Sequence, residues 1–119
     1  MVEVKWTTDA IADIDGIATY IARDSPRSAQ DMVERFFAAA DQLVPQPRRG
    51  KPVPETNLPT VRELLVGSYR LIYHVVSEER VDVLAVHHQK RRSPGTMILR
   101  RKRRRRYLLD VRVDVKLVG

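Results

Sequence analysis

Residues 61–88, VRELLVGSYRLIYHVVSEERVDVLAVHH, constrain the fold more than any other stretch. Three runs rich in β-branched and aromatic residues are separated by Gly67-Ser68 and by Ser77-Glu78-Glu79. Runs broken by such short turn signals read as successive hairpins, so a three-stranded meander is expected. Because facing residues in a hairpin keep a constant index sum, a two-residue loop at Gly67-Ser68 pairs Val66 with Tyr69, Leu64 with Leu71 and Arg62 with Tyr73. One face then gathers Leu64, Val66, Tyr69, Leu71, Tyr73 and Val75. A second turn at Glu78-Glu79 adds Leu84 and Val86, and this face is apolar enough to be a core. The other face carries Glu63, Leu65, Arg70, Ile72 and His74, with His87 across from Arg70. That mixed face is expected to be uncovered and to hold any chemistry.

Upstream, Val2, Val4 and Trp6 alternate with Glu3 and Lys5, the pattern of a short half-buried strand. Thr7-Thr8-Asp9 offers a helix cap and a first-turn carboxylate, and Ile11, Ile14, Ile17, Ala18 and Ile21 follow at helical spacing. Asp24-Ser25-Pro26 ends that helix and starts another, since Ser caps well and Pro fits the first helical position. Ala29, Met32, Val33, Phe36, Phe37, Ala40, Leu43 and Val44 form the second stripe, stopped by Pro45 and Pro47. Two helices so closely joined fold back as an antiparallel hairpin. The expected class is α+β, in the order β-α-α-β-β-β, with the helical hairpin packed on a small antiparallel sheet.

The net charge of +7 suggests a nucleic-acid partner until it is divided along the chain. Residues 1–99 hold 13 basic and 13 acidic side chains, whereas residues 100–119 hold 9 and 2. The body is formally neutral, so a polyanion argument applies only to the C-terminal segment. Arg48, Arg49 and Lys51 lie in a proline-rich loop over residues 45–59, either as a solvated connection or as a phosphate contact. The cationic run 100–106 is expected to resist compact packing through self-repulsion. Beyond it, Leu109, Val111, Val113, Val115 and Leu117 alternate with charged residues, a candidate extra C-terminal strand. Two regions follow: a domain over residues 1–93 and a basic extension over residues 94–119.

Zero cysteines exclude a disulfide framework and a thiolate metal site. His87 and His88, adjacent on a strand, point to opposite faces and cannot readily share one metal. No metal or cofactor is expected. Nothing resembles a signal peptide or a membrane-spanning run, so a cytoplasmic protein without membrane contact is the expectation. Any catalysis has to be assembled from Arg, His and Lys around a phosphodiester, with cations stabilising charge that develops during transfer. The candidates are Arg70, His87, His88 and Arg91, with Lys90 and Arg92 as further phosphate contacts. Arg70 could instead serve as an ion-pair partner of Glu63.

Several pieces of the chain carry a family resemblance. They are Tyr20-Ile21-Ala22 followed by Asp24-Ser25-Pro26, then Gly50-Lys51-Pro52-Val53-Pro54-Glu55, Val61-Arg62-Glu63-Leu64, Gly67-Ser68-Tyr69-Arg70-Leu71-Ile72-Tyr73 and Val86-His87-His88. Through them, residues 2–93 resemble the RelE/ParE superfamily of toxins from bacterial type II toxin-antitoxin operons. RelE-like members cut mRNA on the ribosome with basic groups and commonly a terminal Tyr or His. ParE-like members keep the fold, lack that set and poison DNA gyrase. Arg70 matches the strand arginine of the nucleases, and Arg91 or Arg92 falls near their second basic position. Pro94-Gly95-Thr96-Met97-Ile98 occupies the ground of the nuclease tyrosine. The resemblance therefore implies a ParE-like gyrase poison first, with a ribosome-dependent ribonuclease or a non-toxic antitoxin-binding module as alternatives. It also implies a cognate antitoxin, bound as a hetero-oligomer across the helical stripes, with Ile14, Ile21, Met32 and Phe36 as candidate contacts.

Overall fold

A short strand, β1 (Glu3–Trp6), runs directly into α1 (Thr8–Ala22) through Thr7. The Thr7 hydroxyl accepts from the Ala10 amide at 3.2 Å and donates to the Val83 carbonyl at 2.7 Å, so one buried side chain caps the helix and fastens it to the sheet. Ser25 caps α2 (Pro26–Asp41) in the same way, with Pro26 in the first turn. The helix ends at Asp41, short of Pro45, and Leu43 is buried from the turn that follows. These features come from a computed structural model, which describes residues 2–91 and 94–107.

The remaining elements are β2 (Lys51–Pro52), β3 (Val61–Val66), β4 (Tyr69–Ser77), β5 (Arg80–His88) and α3 (Gly95–Arg103). The sheet has the order β1-β5-β4-β3-β2. The first hairpin keeps the expected register, Val66 facing Tyr69 and Arg62 facing Tyr73, and Arg70 faces His87 across the second. The sheet is mixed rather than purely antiparallel, because β1 pairs with β5 in parallel. Residues 51 and 52, expected as loop, form an edge strand on β3. Gly50 permits that approach, since a Cβ there would stand 2.3 Å from the Glu63 carbonyl oxygen.

One position changes face. Ile72 pairs with Ala85 and Tyr73 with Val83, so Leu84 is an extra residue in a bulge. The bulge interrupts the alternation, and Leu84 joins the second face instead of the helix-covered one. Both faces are cores. Phe36, Leu71, Tyr73, Val83 and Trp6 pack with α1 and α2 on the first. On the second, Val53, Val61, Ile72, Leu84, Ala85 and Ile98 pack together.

The mixed face is therefore covered, not open. The segment 53–60 and α3 lie over it. Residues 100–103 of the cationic run close α3, which corrects the expectation that the run resists compact packing: Arg101, and Arg105 just past the helix, turn inward and meet carboxylates. Arg92 and the strand expected over residues 109–117 lie outside the described residues. Among the described residues, no helix is long and apolar enough to cross a membrane.

Ile98 is fully buried and is the apolar anchor of α3. Ile98→Ala should lower unfolding stability by about 2–5 kcal/mol. Denaturant titration monitored by circular dichroism would measure it, and a loss below the lower bound would mean that α3 is held by its charges alone.

Candidate functional site

Arg70 stands on β4 facing the second core, and it is 7% exposed. Its Nη1 and Nη2 donate to the two oxygens of Glu55 at 2.8 and 2.9 Å, while Nε donates to Glu63 at 3.0 Å. The hydrogen bonds to Glu55 and then to Glu63 outweigh desolvation and hold the guanidinium above the usual arginine pKa. The structure thus corrects the picture of an uncovered Arg70. Two carboxylates occupy both sides of its fork, where phosphate oxygens would otherwise bind. The Glu63 partner was legible on the shared face; Glu55 arrives from a loop that the strand register cannot place.

His87, across from Arg70, is also buried, with Nε2 3.4 Å from an Asp13 carboxylate oxygen. Asp13 sits where β5 loses its neighbour. Among the described residues β1 pairs β5 only from Arg80 to Val83, and side chains serve the edge beyond. The Val86 amide donates to Asp13 at 2.9 Å, and Arg101 donates to the Leu84 carbonyl at 3.2 Å and to Asp13 at 2.6 Å. Burial alone would raise the Asp13 pKa, but hydrogen bonds from His87, Arg101 and the Val86 amide overcome it and hold the carboxyl below its ordinary value. Asp13 and Arg101 thus replace a missing strand.

His88 points outward beside Tyr69, their ring centroids 5.4 Å apart, and its Nδ1 accepts from the Lys90 amide at 3.1 Å. Asp13, Gly16, Tyr20, Tyr69, His88 and Arg91 line an open groove of ≈ 560 Å³ between α1 and the ends of β4 and β5. Lys90 and Arg91 are exposed there. Arg48, Arg49 and Lys51 are exposed as well, but beside β2, three strands away from β5 and so roughly 14 Å off at ~4.8 Å per strand. The two basic sets do not form one surface. Of the proposed antitoxin contacts, Ile14, Met32 and Phe36 are buried under the helices and cannot serve, because the stripe that marks a helix as amphipathic is the one its own core takes. Ile21 stays half-buried.

A third polar cluster was missed. Asp82, 0% exposed in the middle of β5, accepts from Arg80 Nε at 3.0 Å, from Arg105 Nη1 at 2.7 Å and from the Tyr107 hydroxyl. Arg105 also donates to His74 Nδ1, which must therefore be unprotonated. Desolvation first, then the charges of Arg105 and Lys102, push the His74 pKa down to about 4. A carboxylate between Val81 and Val83 in an apolar strand was the available signal.

Residues 4–93 match the family described as the ParE toxin of type II toxin-antitoxin systems, parDE. The chain belongs to the RelE/ParE toxin superfamily. It is 36% identical over 91 residues to toxin RelE2 of Caulobacter vibrioides, covering 76% of this chain and 99% of that one. It is 30% identical over 94 residues to the putative toxin Y4kP of Sinorhizobium fredii, covering 79% and 95%. A solved structure from a chromosomal ParDE system of P. aeruginosa shares the fold with a TM-score of 0.61 at 24% identity, over 74% of this chain and 96% of that one. The RelBE2 toxin-antitoxin complex of Mycobacterium tuberculosis gives 0.50 at 28% identity, over 73% and 96%. The family match ends at residue 93, so α3 with Arg101, Arg105 and Tyr107 lies beyond it.

Two outcomes are expected of this toxin. Arg70→Met removes the guanidinium that holds Glu55 and Glu63 together and leaves two like charges close to one another, at a cost of about 3–5 kcal/mol in thermal or urea unfolding. The second concerns pH. With His74 at about 4 in the fold, the unfolded chain takes up a proton between its ordinary 6.5 and about 4 while the folded chain does not. Stability should thus be full above that window and fall as pH drops through it, whereas the Asp13 contribution is lost only below the ordinary carboxylate value of 3.8. His74→Gln should flatten the fall in melting temperature between those limits; an unchanged slope would refute it.

Proposed function

We propose that the chain is the growth-inhibiting toxin of a type II toxin-antitoxin module, acting in the cytoplasm on DNA gyrase as ParE-like toxins do, without nucleolytic chemistry. The single observation that carries this reading is the state of Arg70. A guanidinium clamped by Glu55 and Glu63 has no free side for a scissile phosphate. His87, the nearest imidazole across the strand, is buried against Asp13, and the ground of the nuclease tyrosine is the start of α3. The ribonuclease alternative draws on the exposed His88 and Arg91 beside the α1 groove and on the named relative RelE2.

The partner is a cognate antitoxin, a reading supported by the two solved neighbours, one from a ParDE system and the other a RelBE2 toxin-antitoxin complex. The surface that suits it is the groove of ≈ 390 Å³ between α2 and β3, lined by Arg35, Ala39, Arg49, Leu64 and Leu65. Leu65 is 54% exposed, and Arg35 and Arg49 line the same groove, which fits an amphipathic segment bearing carboxylates.

Expression without the antitoxin should stop growth, and purified toxin should inhibit gyrase supercoiling while leaving transcripts intact on translating ribosomes. Gyrase unaffected at high excess together with cut mRNA would replace this reading with the ribonuclease. Unimpaired growth would leave a non-toxic antitoxin-binding module. Leu65→Asp should keep its melting temperature and lose at least about tenfold in affinity for the antitoxin encoded beside it, the scale of a contact at an interface centre.

A further inference from the structure

The helix beyond the family match has two unlike faces. Its inner side carries Ile98 in the second core and Arg101 against Asp13 and Leu84, and Arg105, just past its end, closes on Asp82. Thr96, Arg100, Arg103 and Arg104 recur at helical spacing on the other side, with Arg106 just beyond, and all five are exposed. Among the described residues, no carboxylate lies within ion-pair distance of Arg100, Arg103 or Arg106. Arg104 reaches Asp9 at 3.5 Å with its side chain 55% exposed, a contact of small worth. Arg101 and Arg105, with close carboxylate partners, face inward, whereas Arg100, Arg103 and Arg106 face outward and Arg104 makes only its long contact to Asp9.

We infer that this outward face of α3 binds the phosphate backbone of duplex DNA. Arg100 lies three and four residues from Arg103 and Arg104, so like charges crowd one helical turn and repel, and a polyanion laid across them removes that repulsion. The choice of guanidinium matters: its planar fork grips phosphate oxygens in pairs where an ammonium acts as a point charge. Along the axis, Arg100 and Arg104 are about 6 Å apart at ~1.5 Å per residue, against ~3.4 Å per phosphate on one strand, so they reach neighbouring or alternate phosphates. The groove of B-form DNA admits an α-helix, whereas the corresponding groove of duplex RNA is deep and narrow.

A membrane surface fits less well. Among the described residues the exposed large apolar side chains are Tyr20, Leu65 and Val76, none of them on α3, so nothing there would insert between lipid chains. Residues 1–99 are balanced in formal charge, so attraction to DNA is local to this helix and does not arise from the body. The inference stands apart from the choice of gyrase or ribosome as target, and its test reads binding rather than toxicity.

The test is fluorescence anisotropy of the full chain with a duplex DNA of about 20 base pairs, an RNA duplex of the same sequence and phosphatidylserine vesicles, at roughly 50 to 200 mM salt. DNA should bind most tightly, with log affinity falling against log salt at a slope of about −3.6, from ~0.9 for each phosphate neutralised by Arg100, Arg103, Arg104 and Arg106. The triple variant Arg100→Gln, Arg103→Gln, Arg106→Gln should melt at the parent temperature, lose at least about tenfold in DNA affinity and bring the slope to about −1. An absence of DNA binding at the low-salt limit would overturn the inference. So would a triple variant that binds as the parent does, or tighter binding to the RNA duplex or the vesicles than to DNA.

Discussion

Burial of the β4–β5 hairpin on both faces is the constraint from which the rest of the molecule follows. Residues 70–75 and 81–87 are all buried, so two layers of cover are required, the helical hairpin on one side and the segment 53–60 with α3 on the other. Four of those residues carry a charged or imidazole side chain: Arg70, His74, Asp82 and His87. A charge in such a place is costly unless it is met by a partner in good geometry. Each is met by a group from a covering element, Glu55 from the loop, Asp13 from α1, and Arg105 from the end of the chain beyond α3. Ion pairs of this kind add little net stability over an apolar core. Their effect is selective, because a covering element docked one residue out of place would strand a charge.

The same pairing decides what the surface can do. A buried guanidinium between two carboxylates holds a loop to a strand and offers nothing to a substrate. The chain carries a formal charge of +7, yet several of its cations are spent internally, and among the described residues Arg100, Arg103, Arg104 and Arg106 are exposed together on or just past α3. Net charge alone could not distinguish these groups. Their separation depends on which side of a helix each arginine takes.

The hairpin register was legible because Gly67-Ser68 fixes a two-residue turn and because alternation of apolar residues sorts the faces. The caps at Thr7 and Ser25 were legible from local chemistry. The misplacement of Leu84 came from a bulge, which inserts a residue without altering composition. The mixed face of the sheet was misjudged for a different reason: charges along a strand look exposed until their partners, far away in sequence, are known. Asp13 and Arg101 are 88 positions apart, and no periodicity links them. For the candidate site, the register set Arg70 across from His87, but Glu55 and Asp13, which meet them, were not legible.

The isolation of Asp82 has a consequence for how such a module can change. Its carboxylate has no access to water and relies on Arg105 and Tyr107, which lie beyond the portion shared with the family. A shortened descendant ending near residue 93 would lose that cover, opening Asp82 to water with Arg80 as its remaining cation and exposing the apolar side chains that Ile98 packs on. The last helix and the face beneath it are in that sense a single heritable unit: the helix is easily shed only after the apolar residues under it have become polar.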